Sequence, residues 1–207
     1  MKKLVISVLL LILGIVFLLV KTSARAAVHD VTYTADALSS LVLEITPGDT
    51  FDFGNLTFND PVTAPATGTV VSVTTNAANG YTLGVSDGIA GTDSGLVNVA
   101  DGTTRIPDMT NGTVATPVLW GANSGLGITM FAADINKEAK WGTGTAYDDS
   151  NNKYAAIPET AITAHTVTGF NTSTDTSSWA YMIETGVVQK TGAYSGSMTF
   201  TATAVLI

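Results

Sequence analysis

The segment "SGSMTFTATAVLI" near the end of the chain alternates strictly. Met198, Phe200, Ala202, Ala204 and Leu206 fall on one face, and Ser197, Thr199, Thr201 and Thr203 on the other. A period of two marks a strand with one buried face. "SWAYMIETGVV" repeats the pattern, with Trp179, Tyr181 and Ile183 opposed to Ala180, Met182 and Glu184. The turn-forming "KTGAYSG" between these segments predicts a hairpin. Upstream, Val71 and Val73 alternate with Ser72 and Thr74, and Tyr81, Leu83 and Val85 with Thr82, Gly84 and Ser86. "NAANG" (residues 76–80) separates them and reads as a second hairpin corner, because Asn79-Gly80 tolerates positive φ.

"LVLEI" and "DTFDFGNLTF" predict two more strands, parted by Pro47-Gly48. Residues 87–117 are rich in Gly, Asp, Asn and Thr and read as a long decorated connection with short strands at most. "FAADINKEAKW" (residues 131–141) is the one segment that predicts a short helical turn, and "TGTAYDDSNNK" reads as a loop. No repeat of 20–50 residues is visible. Many short strands, frequent turns and little helix predict a single all-β domain, an antiparallel β-sandwich over residues 27–207.

The first residues follow a different logic. Lys2 and Lys3 precede an apolar run over residues 4–20, and "SARAA" follows with Ala24 and Ala26 spaced for signal peptidase. Residues 1–26 are therefore expected to be a signal peptide, cut between Ala26 and Ala27. The apolar run is long and Lys21 lies just past it, so an uncleaved N-terminal membrane anchor is the alternative. Either way the remainder is expected to be exported, extracellular or at the cell surface. Membrane contact is then expected only through the N-terminal segment, if that is uncleaved.

Charge sharpens once the leader is set aside. Four of the nine basic residues lie in the leader and none of the seventeen acidic ones does, which leaves five against seventeen, a net −12. Nucleic acid is a poor partner for such a surface, since phosphate contacts need cations. The chain has no cysteine, which excludes disulfides, thiolate metal sites and cysteine nucleophiles. An exported domain of this kind has to be held by its core.

Candidate chemistry is sparse. His29 and His165 are the two histidines, and neither has a neighbouring Cys or His. His165, in "ITAHTVTG", reads as structural or solvated. There is no G-x-S-x-G elbow and no H-E-x-x-H. Asp148, Asp149 and Asn151, with Asn152, are hard oxygen donors suited to Ca²⁺. The alternating EF-hand pattern is missing and Lys153 adds a repelling charge, so turn use is expected. No catalytic residue, cofactor or metal ligand is assigned, and the chain is expected not to be an enzyme. Tyr81, Trp120 and Trp141 are the candidates for a ligand or interaction surface, with core packing as the competing use of each ring.

In order, "FDFGNLTF", "VTTNAANGYTLGVS", "VLWGANSGLGITM", "AKWGTGTAYDDSNNKYAAIP" and "TGAYSGSMTFTATAVL" resemble blocks of exported β-sandwich proteins. These are uncharacterised surface proteins of Gram-positive and candidate-phyla-radiation (Saccharibacteria-like) bacteria. A more distant resemblance is to the WxL domain of Gram-positive surface proteins. Phe53-Gly54 fits its early "FG", and Tyr81-Thr82-Leu83 stands where the first Trp-x-Leu falls. The second Trp-x-Leu is missing, since Gly-Ala follows Trp120 and Ala-Tyr follows Trp179. The resemblance implies an Ig-like or WxL-like sandwich with long decorated loops and at most one short helix. It also implies surface location and a structural or adhesive role. Expected partners are other surface proteins or cell-wall glycan, with self-assembly by strand addition. A WxL-type, non-covalent peptidoglycan or carbohydrate binding module is the alternative.

Overall fold

Where alternation is strong, strands form. The computed structural model describes residues 38–46, 50–88 and 95–206, all within one compact unit, Leu38–Ile207. The expected leader and its Ala26–Ala27 cleavage site, together with His29, lie outside the described residues. Among the described residues twelve strands follow in chain order: β1 (Leu41–Ile45), β2 (Val62–Thr75), β3 (Gly80–Asp87), β4 (Leu96–Asn98), β5 (Arg105–Ile106) and β6 (Val118–Leu119), then β7 (Gly125–Ala133), β8 (Lys153–Tyr154), β9 (Ile162–Thr168), β10 (Asp175–Glu184), β11 (Tyr194–Ser195) and β12 (Met198–Ala204). The described residues hold a single 3-10 turn, at Ala139–Trp141. Among the described residues no helix is long and apolar enough to cross a membrane.

A four-stranded sheet runs β1-β2-β10-β7, and a three-stranded sheet runs β12-β3-β9. Two small sheets, β11-β4-β5 and β6-β8, decorate them. All strand pairs are antiparallel. The two larger sheets share one core. Val71, Val73, Ile128, Met130, Trp179 and Ile183 come from the first, and Leu83, Val85, Val167 and Phe200 from the second. This is sandwich-like packing, and each such side chain taken from water contributes roughly 1.5–3 kcal/mol.

Both expected hairpins are corrected. β2 and β3 belong to different sheets, so residues 76–79 arch from one sheet to the other. β10 and β12 are split in the same way. Alternation sets which side chains share a face, not which strand is the neighbour. An arch places Val71 and Val73 across the core from Leu83 and Val85, so both apolar faces are buried at once.

Two further expectations change. Residues 50–58 form no strand, only a bridge from Phe58 to Thr185. Gly54 has φ 74°, and Asp52 Oδ1 accepts its N–H at 2.8 Å, which folds "FDFG" into a turn. In "FAADINKEAKW" the first residues complete β7, and the helical turn shrinks to Ala139–Trp141. Asn136 at φ 51° and Gly142 at φ 83° bound it.

The outer face of β10 is also covered. Met182 packs against a second cluster of Met109, Trp120 and Tyr154, carried by the decorated central region. β10 is thus packed on both faces around Ala180 and Met182, although its outer face also carries Thr176, Ser178 and Glu184.

Candidate functional site

The arch and the strand that leaves it build the most unusual chemistry in the molecule. At the arch, Asn76 Oδ1 accepts the Ser40 N–H at 2.6 Å and its amide donates to the Leu38 carbonyl at 2.9 Å. Gly80 has φ 82°, and a Cβ there would overlap the Val167 carbonyl. Glycine is therefore required twice over, by conformation and by close approach. The next residue, Tyr81, points inward, and its hydroxyl donates a short hydrogen bond to Asp175 Oδ2.

Asp175 opens β10 in phase with Ser177, Trp179, Tyr181 and Ile183, so its carboxylate is carried inside. Its other oxygen accepts the Ile135 N–H at 3.2 Å. His165 of β9 completes the group. Its Nε2 lies 3.7 Å from Asp175 Oδ2, and its Nδ1 lies 3.4 Å from Glu138 Oε1. Neither contact has hydrogen-bond geometry, so the attraction is between charges. Glu138 Oε1 also accepts the Thr166 N–H at 2.8 Å.

Burial by itself would favour the neutral imidazole. The flanking Asp175 and Glu138 carboxylates outweigh it and raise His165 to about 9. Burial, and then the hydrogen bond to Asp175, hold the Tyr81 phenol protonated well above its ordinary range. The group therefore carries an imidazolium between two acids.

Such a set has the residue types of an acid–base site but lacks access. His165 is 0% exposed and Asp175 1%. The two carboxylates sit at opposite ring nitrogens, so they do not converge with the imidazole on one metal ion. Among the described residues no group of three or more His, Cys, Asp or Glu has metal-binding geometry. The arrangement ties β3, β9, β10 and the segment before the 3-10 turn together across the core.

The three aromatics weighed between a ligand surface and core packing are all buried: Tyr81 2%, Trp120 8% and Trp141 0% exposed. None is an open platform. Trp141 meets Trp179 edge-on at 5.5 Å and donates its indole N–H to the Ala164 carbonyl at 3.0 Å. Trp120 meets Tyr154 edge-on and donates to Glu184 Oε2 at 3.0 Å. Their loop-flanked positions suggested exposure, but those loops fold over the sheets and carry the rings inward.

Asp149 serves its own turn. Its Oδ1 accepts the Asn151 N–H at 2.9 Å and the Asn151 amide at 3.0 Å, and Oδ2 accepts the Thr145 N–H at 3.3 Å. Asp148 is exposed beside it. Of these Ca²⁺-type donors, Asp149 thus uses both of its oxygens on its own turn, and Asn152 donates its amide to the Ala146 carbonyl at 2.8 Å.

A cavity of about 300 Å³ opens near the ends of β1 and β12. Ile45, Phe51, Leu126, Tyr181, Met198 and Phe200 are among its walls, and Asp52 is the only charged one among the described residues. Phe51 stacks on Tyr181 at 4.8 Å. No sequence pattern pointed to this cavity, because its walls come from seven separate stretches of chain, with residues 45–53 counted as one.

The flanks of the two large sheets differ. On one, β9 is covered: the Ala164 carbonyl and Thr166 N–H are taken by Trp141 and Glu138. The neighbouring β7 is bridged at Ile128 to Ala155. On the other, β1 and β12 each pair with a single strand, and nothing among the described residues adds to either sheet. No protein-family model matches the chain, and no curated protein is significantly similar to it.

Proposed function

We propose that the chain is a secreted, non-enzymatic structural or adhesive protein of the cell surface that assembles by strand addition. The observation that carries this reading is the open flank formed by β1 and β12. A strand edge is a row of unpaired donors and acceptors and a ready template for another chain. Soluble proteins blunt such edges with lysine, proline or bulges, and β12, "MTFTATA", has none of these. Sealing of the only imidazole–carboxylate group among the described residues supports a structural use of that group. On this reading the finer fold type is that of the Ig-like and WxL-like surface modules.

Fractionation of native cells, followed by size-exclusion chromatography and electron microscopy of the exported protein, tests the proposal. Surface-located multimers are expected. A cytosolic chain, or one that stays monomeric at high concentration, contradicts it.

The second reading is non-covalent binding of peptidoglycan or carbohydrate. Burial of Tyr81, Trp120 and Trp141 moves it to the cavity beside Phe51, which is 37% exposed. Retention on purified wall sacculi, lost in Phe51→Ala, is the expected result. No retention removes this reading.

A further inference from the structure

We propose that β12 pairs with β12 of a second copy, antiparallel about a two-fold axis at Thr201, so that two three-stranded sheets become one of six. The inference rests on the strand-addition reading and names its partner.

Backbone direction comes first. Val205 N–H donates to the Gly80 carbonyl at 2.9 Å and its carbonyl accepts the Asn79 N–H at 3.3 Å. At the other end, the Ser197 carbonyl accepts the Gly88 N–H at 3.0 Å. Odd-numbered residues thus turn their backbone groups toward β3. Even-numbered residues, Met198, Phe200, Ala202 and Ala204, turn theirs to the free edge, as antiparallel alternation requires.

Side chains then select the partner. Full overlap of the seven-residue strand with itself centres on Thr201. On the inner face Phe200 meets Ala202 and Met198 meets Ala204 of the second copy, large against small in both cases. On the outer face Thr199 meets Thr203 and Thr201 meets its own equivalent. Threonine pairs across strands are favourable, and threonines 199, 201 and 203 are all exposed. The strand bears no charge, so two strongly acidic copies meet where like charges are absent. On β1, by contrast, full overlap centred on Leu43 places the two Glu44 carboxylates two residues apart on the same exposed face. A closed two-fold contact uses the same patch on both copies, which this near-palindromic pattern supplies.

The chain has no cysteine, so single-cysteine variants report cleanly. In the proposed register Thr201 faces its own copy as a non-hydrogen-bonded pair, with Cα atoms about 4.5 Å apart, inside disulfide range. Thr203 lies about 13 Å from its equivalent, four residues along the partner strand. The whole chain is expressed and the exported protein oxidised.

Thr201→Cys is expected to become a covalent dimer and Thr203→Cys alone to stay uncross-linked. A mixture of Thr199→Cys and Thr203→Cys proteins is expected to yield the heterodimer. Cross-linking of Thr201→Cys no faster than Thr203→Cys overturns the proposal. If the cysteine-free protein forms multimers while Thr201→Cys fails to cross-link, pairing at β12 is wrong and strand addition at another edge stands. If it remains monomeric at high concentration, both readings fall.

Discussion

The two flanks of the molecule solve the same problem in opposite ways. Along β9 the edge is met by side chains from the central decorated region, Glu138 taking an amide and Trp141 a carbonyl, and β7 is bridged through its backbone at Ile128 to Ala155. Along β1 and β12 no described segment does this. The sealed flank also carries the buried charges, with His165 held between Asp175 and Glu138. The open flank carries almost none. The difference separates a side built for stability from a side available for contact.

The sealed flank is broken most severely at Asp175. Asp175→Ala removes the acceptor for Tyr81 and Ile135 and leaves the imidazolium with Glu138 alone, so a loss of about 3–5 kcal/mol is expected in urea unfolding. A loss below about 1 kcal/mol would mean that the cluster does not bind the sheets together. Gly80→Val comes next. The strained φ and the overlap with the Val167 carbonyl predict about 3 kcal/mol of destabilisation by the same measurement. Unchanged stability would show that the arch is drawn wrongly.

Raising the pH probes the charges without mutation. His165 titrates near 9 in the fold against about 6.5 in an unfolded chain, so the folded state holds the extra proton between those values. Its stabilisation is complete below about 6.5 and lost as pH rises through about 9. Tyr81, also raised, acts in the same direction at still higher pH. Melting temperature is expected to fall between pH 7 and 10 and to fall less in His165→Gln. An equal fall in both proteins would place the effect elsewhere.

Trp141→Phe keeps most of the packing but removes the indole N–H from the Ala164 carbonyl. A loss of about 1 kcal/mol is expected, with faster amide exchange confined to β9. The smallest effect on stability belongs to the open flank. Thr201→Lys, on an exposed face, should change unfolding free energy by less than about 0.5 kcal/mol while abolishing self-association. If association persists, contact is made away from β12.

Much of this architecture was readable from alternation. β3, β10 and β12 keep the faces that their sequences assign, with Phe200 inward and Thr199, Thr201 and Thr203 outward. Strand partners were not readable, because a period of two is satisfied equally by a hairpin and by an arch. That is why "NAANG" and "KTGAYSG" suggested the wrong neighbours. The buried cluster was equally hidden, since Glu138 and Asp175 are distant in sequence from His165. One signal did exist. Asp175 shares the inward phase of Trp179, Tyr181 and Ile183, and an acid on a buried phase needs a cationic or donor partner. For Trp120 and Trp141 core packing is the use the structure shows: loop context describes the chain locally, and the loops around them fold back over the core.

Hydrogen–deuterium exchange of β12 and β9 at rising protein concentration compares the two flanks within one sample. Thr166 should be protected at every concentration, because its amide is bound within the molecule. The amides of Met198, Phe200, Ala202 and Ala204 should exchange quickly when dilute and gain protection together as copies associate. Fast exchange at those four positions at all concentrations, or protection already complete in the dilute monomer, would contradict the account of an open, self-pairing flank.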